Sequence, residues 1–186
     1  MNIGITIFTN RRIIILFTVF CFWHLTTRAQ ELRHVQGIGL IGVSCGISPG
    51  SEGRTHSFCI DYSRYIQKNW ILNMSGIYEV GDVQMTKVKN YLLKGGVDYT
   101  TFQAGNFLYF NVGLSVLLGG ETLDTTEILS GKKNSFVSGT SGNVNFEIYM
   151  TDRIVLQVKA EQNLIANSNL GSWYPVFYAG IKYCIF

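Results

Sequence analysis

The sequence predicts an all-β protein: an eight-stranded antiparallel up-and-down β-barrel of the outer-membrane type, following a cleaved signal peptide. Three observations carry that prediction. Period-two alternation of apolar and polar side chains recurs eight times after residue 30. The alternating runs are about ten to twelve residues long, beyond the usual soluble strand of about five to six. They match the roughly 9–11 residues that a tilted strand needs to cross a bilayer. The composition is also unusual, with 47% hydrophobic residues, 20 glycines and only 15% charged residues, against about 25% charged in typical soluble chains.

The first segment reads as an address. Arg11 and Arg12 precede the apolar run Ile13 to Trp23, and a short polar stretch ends at Thr27-Arg28-Ala29. A basic start, an apolar core and a small residue at the cut define a secretory signal peptide. The run is too short for a spanning helix, which takes roughly 20 residues. Cleavage is expected between Ala29 and Gln30, giving a signal peptide over 1–29 and one barrel domain over 30–186. A lipoprotein start at Cys21 is disfavoured by the bulky Phe20 before it. The segment holds three of the 15 basic residues and none of the 12 acidic ones, so 12 of each remain and the formal charge falls from +3 to zero. A neutral chain does not grip nucleic acid through phosphate contacts.

The strands follow in order. The first runs from about Gly37 to Ile47. The second, near Ser57 to Tyr65, sets Phe58, Ile60 and Tyr62 against Ser57, Cys59, Asp61 and Ser63. The third, Trp70 to Glu79, sets Trp70, Leu72, Met74 and Tyr78 against Asn73, Ser75 and Glu79. In the fourth, Val88 to Tyr99, Tyr91, Leu93, Val97 and Tyr99 oppose Asn90, Lys94 and Asp98. The fifth is the cleanest, with Leu108, Phe110, Val112, Leu114, Val116 and Leu118 on one face. Tyr109, Asn111, Gly113, Ser115 and Gly119 lie on the other, where Gly113, Ser115 and Gly119 keep the polar side narrow. The sixth sets Val144, Phe146, Ile148 and Met150 against Asn143, Asn145, Glu147 and Tyr149. The seventh sets Ile154, Leu156, Val158 and Ala160 against Gln157, Lys159, Glu161 and Asn163. The eighth sets Phe177, Ala179, Ile181, Tyr183 and Ile185 against Tyr178, Gly180, Lys182 and Cys184.

The connections alternate in length. Ile66–Asn69 and the Thr151-Asp152-Arg153 turn are short. Ser48–His56, Val80–Lys87, Gly120–Ser135 and Leu164–Ser172 read as longer links. Short periplasmic turns and longer external loops are the pattern of outer-membrane barrels. Eight strands then place both termini on the periplasmic side. Aromatics near strand ends (Trp70, Tyr78, Tyr91, Tyr99, Trp173, Tyr183) fit interfacial girdles. The closing Gly180 to Phe186 resembles the C-terminal signal that outer-membrane proteins present to their assembly machinery.

An eight-stranded barrel is just wide enough to be filled by side chains. The predicted interior set is Asp61, Glu79, Lys94, Asp98, Glu147, Lys159, Glu161 and Lys182, read as a buried ion-pair network. A soluble periplasmic lipocalin-like barrel is the alternative that would instead turn Leu114 and Leu156 inward.

Chemistry-bearing patterns are sparse. His34 and His56 have no metal spacing, and there is no Cys/His cluster. No catalytic, cofactor-binding or metal-binding residue is predicted. A small outer-membrane enzyme or ligand-binding barrel, with His56 in the first long loop, is kept as a second alternative. Gly37-Ile38-Gly39 and Gly95-Gly96 open no helix and are not phosphate loops. Lys132-Lys133 reads as a solvated loop tip, and Asn73-Met74-Ser75 as a sequon within a strand. Three cysteines remain after cleavage (Cys45, Cys59, Cys184), so no fully paired disulfide framework is expected, although a Cys45–Cys59 pair across a hairpin is conceivable.

Two blocks carry information beyond alternation: LYFNVGLSVLLGGETLD (Leu108 to Asp124) and EIYMTDRIVLQVKAEQNLIANSNLG (Glu147 to Gly171). Both resemble the TraO family of conjugal transfer proteins encoded by conjugative transposons. Met150-Thr151-Asp152-Arg153 and Glu161 stand where the family has an LTDR turn and a glutamate, and Gly180-Ile181-Lys182 fits its closing strand. The resemblance spans about Gly37 to Phe186, while Glu31 to Gln36 lacks a Cys-Leu-Pro-type start. It implies a structural component of a conjugative DNA-transfer apparatus, related to type IV secretion, at the outer membrane. The implied partners are other transfer proteins and outer-membrane lipid. It implies no cofactor and no enzymatic activity.

Overall fold

A strand with one apolar face must bury or wet that face, and its unpaired edge must be covered. This chain meets both demands by closure. The computed structural model describes residues 36–49, 54–83, 86–124, 133–166, 168 and 172–185. The signal peptide expected over 1–29, the Ala29–Gln30 junction, His34, Lys132 and Phe186 lie outside the described residues. Eight strands follow in chain order: β1 (Gly39–Pro49), β2 (Arg54–Tyr65), β3 (Trp70–Val83), β4 (Thr86–Ala104), β5 (Leu108–Asp124), β6 (Lys133–Tyr149), β7 (Ile154–Ala166) and β8 (Trp173–Ile185). Each pairs antiparallel with its neighbour, and β1 pairs with β8 to close the barrel. No helix occurs among the described residues.

The tight connections at 66–69, 105–107 and 150–153 lie at one end, which also holds the start of β1 and the end of β8. We call this the turn end and the other the loop end. Gly105 takes φ +59° in the β4–β5 turn, a conformation glycine adopts without a Cβ penalty. A register shift between Thr100 and Phe102 lets β4 turn into it. At the loop end the strands run further than alternation indicates. The segment Val80–Lys87 is mostly ladder, with strand up to Val83 and from Thr86. Likewise β5 continues to Asp124, β6 starts at Lys133 and β7 runs to Ala166, while β8 starts at Trp173, where the expected link ends. Outward residues such as Asp82, Lys87, Gly120, Thr122, Ser138 and Thr140 interrupt the period-two signal in these extensions while leaving the ladder intact.

The apolar faces point outward. Ile60, Met74, Leu93, Leu114, Val116, Val158 and Ile181 are all exposed, Leu114 at 76%. Leu156 also lies on the outward face. A lipocalin-like interior would require these leucines inside, so that alternative is overturned. Aromatics border the band: Trp70 packs edge-on against Tyr99 with centroids 5.0 Å apart, and Phe110 lies 4.7 Å from Phe146 toward the turn end. Tyr78 and Tyr91, 5.0 Å apart, lie toward the loop end with Phe136 and Trp173. Phe136 to Phe146 on β6 and Trp173 to Tyr183 on β8 are each ten positions apart. At about 3.3 Å per residue and a tilt of about 40°, that is roughly 25 Å along the barrel axis, the height of the apolar band of a transmembrane barrel.

The free cysteines follow the same parity. Cys45 is exposed on the outer face, whereas Cys59 and Cys184 are buried inside. Cys45 pairs in register with Phe58, so Cys45 and Cys59 point to opposite sides of the wall and cannot form a disulfide.

The outward face is tested by Leu93→Arg. In liposomes the substitution is expected to lower unfolding free energy by about 2–4 kcal/mol, the cost of arginine near the midplane. Urea titration followed by tryptophan fluorescence measures it; an unchanged midpoint would contradict a lipid-facing Leu93.

Candidate functional site: the barrel interior

The inward positions of all eight strands converge on one filled lumen. The eight charged residues anticipated for it, Asp61, Glu79, Lys94, Asp98, Glu147, Lys159, Glu161 and Lys182, are all buried there. They do not form one network. The structure sorts them into two ion clusters and two hydrogen-bonded carboxylates.

The first cluster is centred on Lys182 of β8. Its Nζ lies 2.9 Å from Glu147 Oε1, 3.7 Å from Asp61 Oδ2 and 3.2 Å from Ser63 Oγ. Glu147 also accepts from Asn145 Nδ2 at 3.3 Å and from the Tyr65 hydroxyl at 3.1 Å, and Tyr65 pairs with Tyr149 at 2.8 Å. β6, β8 and β2 are thereby tied together through the lumen. Gly42 makes the room: a Cβ there would come within 2.7 Å of Lys182 Cγ and 2.9 Å of Asp61 Oδ2.

The second cluster joins β4 to β7. Lys94 Nζ sits 2.6 Å from Glu161 Oε2, and Lys159 Nζ is 3.1 Å from the same oxygen. Lys159 also stands 4.7 Å over the Tyr178 ring, a favourable cation–π placement in a dry site. Neither Asp98 nor Glu79 has a lysine within ion-pair distance among the described residues. Asp98 accepts from Asn143 Nδ2 at 3.1 Å. Glu79 accepts from Tyr174 at 3.0 Å and Asn90 at 3.3 Å. Gly113 of β5 lies in register between Asp98 on β4 and Asn143 on β6, and a Cβ on it would overlap the Asp98 carboxylate.

Apolar layers bracket the charges. At the turn end, Leu40, Tyr65, Ile71, Tyr109, Tyr149 and Val155 form one buried cluster. Toward the loop end, Ile77, Leu92, Leu117, Val137, Ile165 and Val176 belong to a second. Tyr109 and Tyr149 lie on the inward face that alternation gives them, whereas Leu40, Ile71, Leu92, Leu117, Val137 and Val155 escape it because each is an aliphatic side chain at an inward position. The parity of its outward neighbours was the available signal. Glu121 was read as loop; it lies on the inward face of β5 and accepts from Ser168 at 2.9 Å.

The Thr151-Asp152-Arg153 turn closes the β6–β7 hairpin. Thr151 Oγ1 accepts from the backbone N–H of Arg153 at 3.2 Å and of Ile154 at 3.0 Å. Arg153 reaches the Tyr183 hydroxyl at 3.1 Å, and its carbonyl accepts from the Cys184 N–H at 2.8 Å. Asp152 is exposed. His56, expected in the first long loop, is instead part of β2 and exposed on its outer face, directed away from the lumen. Among the described residues, no group of three His, Cys, Asp or Glu side chains is placed to hold a metal ion.

Removing one partner of a buried ion cluster leaves an uncompensated charge in a low dielectric, typically at a cost of about 3–5 kcal/mol. Lys182→Met strands two carboxylates and is expected to lose stability in that range, read as a lower urea midpoint in liposomes. A midpoint within experimental error of the parent would show that the cluster adds no net stability.

Solved structures similar to this one include outer-membrane barrels. The N-terminal β-barrel domain of Pseudomonas aeruginosa OprF has a TM-score of 0.60 at 9% identity, over 81% of this chain and 98% of that one. Neisserial surface protein A has a TM-score of 0.58 at 15% identity, over 80% of this chain and 95% of that one. Pseudomonas aeruginosa OprG has a TM-score of 0.58 at 11% identity, over 84% and 99%. At these identities the likeness establishes the fold alone: a closed eight-stranded barrel of the outer-membrane type. No curated protein matches the chain in sequence. The family described as conjugative transposon protein TraO matches residues 32–185, nearly all of the chain after the expected leader. The chain belongs to the TraO family of conjugative transposon proteins.

Proposed function

We propose that this chain is a non-enzymatic wall component of a conjugative transposon's DNA-transfer apparatus, seated in the outer membrane and related in role to parts of type IV secretion. The observation that carries the reading is a filled lumen inside an apolar-faced barrel. Two cross-lumen ion clusters lie between two apolar layers. A barrel so filled acts through its surfaces, and family membership supplies the process in which it acts. Residues 1–29 serve as the export signal, cut between Ala29 and Gln30. The turn end, with Thr151, Asp152 and Arg153, faces the periplasm and the envelope-spanning partners. The loop end faces outward. Neutrality after export fits contact with transfer proteins and lipid better than contact with DNA.

Deletion of the gene is expected to abolish or strongly reduce transfer in a mating assay, with recovery on complementation by the intact chain. The protein should fractionate with the outer membrane and migrate differently on gels before and after heating. In planar bilayers it should carry no sustained conductance. Undiminished mating, recovery as a soluble periplasmic protein, or large open channels would each overturn the reading.

A further inference from the structure

The outer wall carries few charges, and two of them stand together at the turn end. Arg64 lies near the end of β2 between the buried Ser63 and Tyr65, so its side chain points out of the barrel. Lys68 follows four residues on, exposed in the tight β2–β3 connection. Backbone bonds hold that connection, from the Ile66 N–H to the Trp70 carbonyl at 2.9 Å and from the Trp70 N–H to the Gln67 carbonyl at 3.2 Å. Neither cation has a carboxylate within ion-pair distance among the described residues. The exposed acidic residue of the turn end among the described residues, Asp152, belongs to the β6–β7 turn on the opposite side of the barrel. Aromatic rings flank the two cations: Tyr62 and Trp70 are exposed, and Tyr99 packs on Trp70. Arg64 pairs in register with Leu72, two positions above Trp70. A ladder row climbs roughly 3 Å per strand at a tilt of about 40°, which leaves the arginine close to the level of Trp70. Above the cations the wall opens. Leu72 and Met74 lead up β3 to Gly76, and a Cβ at Gly76 or at Gly95 beside it would meet nothing within 4 Å. From Trp70 to Gly76 is six positions, roughly 15 Å along the axis, the depth of one leaflet's acyl chains.

We propose that Arg64 and Lys68 bind the phosphate of an anionic phospholipid in the periplasmic leaflet, with its acyl chains lying along β3 and β4 toward Gly76 and Gly95. The inference rests on the membrane reading given above. The guanidinium offers a planar fork that matches two phosphate oxygens, and the ammonium adds a point charge from the water side. Two cations without a carboxylate beside them favour a headgroup of net negative charge. A zwitterionic headgroup brings its own cation and meets them poorly. Depth decides between lipid and protein. An acidic protein in the periplasm would reach Lys68, but Arg64 stands on the outer wall among Tyr62 and Trp70, at the level where aromatic belts meet lipid headgroups. A long basic side chain there runs its methylenes along apolar surface and holds its charge at the phosphate level. Each basic residue close to an anionic membrane surface is worth roughly fivefold in preference for the anionic lipid.

The test uses residues 30–186 folded in liposomes, where Trp70 and Trp173 are the tryptophans. Trp173→Phe leaves Trp70, beside the two cations, as the reporter. Brominated lipids quench a tryptophan that they touch, so brominated phosphatidylglycerol is compared with brominated phosphatidylcholine in bilayers that contain both headgroups. The apparent affinity at Trp70 should favour phosphatidylglycerol by at least about fivefold. Arg64→Gln together with Lys68→Gln should bring the two lipids to near parity, with heat-modifiable migration retained. Arg64→Lys, which keeps the charge, should keep most of the preference. Equal quenching by the two lipids in the parent would overturn the proposal, as would a preference that survives the double substitution. So would loss of the preference on adding polyglutamate, which would assign the two cations to an acidic protein segment. Absence of quenching by either lipid would instead defeat the membrane reading on which the site rests.

Discussion

Closure of the hydrogen-bond ladder is the constraint on which everything else depends. Once β8 pairs with β1, from Gly39 opposite Ile185 to Ile47 opposite Phe177, the sheet has no free edge. Every strand can then present a continuous apolar face without inviting another chain to add to it. In hydrocarbon there is no water to satisfy a lone N–H or C=O, so closure is also what allows strands to serve as a membrane wall. The final strand, apolar along its outward side from Phe177 to Ile185, would be a hazard as an open edge. Here it is the seam.

Closure with eight strands fixes a narrow interior, and the interior decides what the protein can do. Charges buried there must be paired or hydrogen-bonded. The chain arranges this with lysines that reach across the lumen, Lys182 from β8 to β2 and β6, and Lys94 from β4 to β7. Glycines at Gly42 and Gly113 keep wall and side chains from colliding. The same packing that braces the barrel also fills it. A braced, filled barrel leaves the outer wall and the two ends as its accessible surfaces.

Much of this was legible in the residues. The parity of β5, with Leu108 to Leu118 facing one way, determines which side points outward. Every charged residue assigned to the opposite face lies inside. The reading failed where side-chain chemistry and parity part company. Ser138, Thr140 and Gly142 continue the outward row of β6 but are not apolar, so the strand is invisible to a hydrophobic pattern. Glycines and polar residues around His56 and Glu121 give them the look of loop residues, yet both sit in register with neighbouring strands. Ladder hydrogen bonds between backbones do not depend on the side chains that alternation counts.

The sequence by itself determined the number of strands, their facing and the family. These are properties of one strand or one segment at a time, written in period two and in local motifs. The tertiary structure alone decided which charges meet. Asp61, Glu147 and Lys182 come from β2, β6 and β8, and their distances follow from the stagger of a closed barrel. The tertiary structure also decided that Leu114, Gly142 and Gln162 stand in one ladder row across three adjacent strands. Register is a relation between strands, and no single stretch of chain contains it.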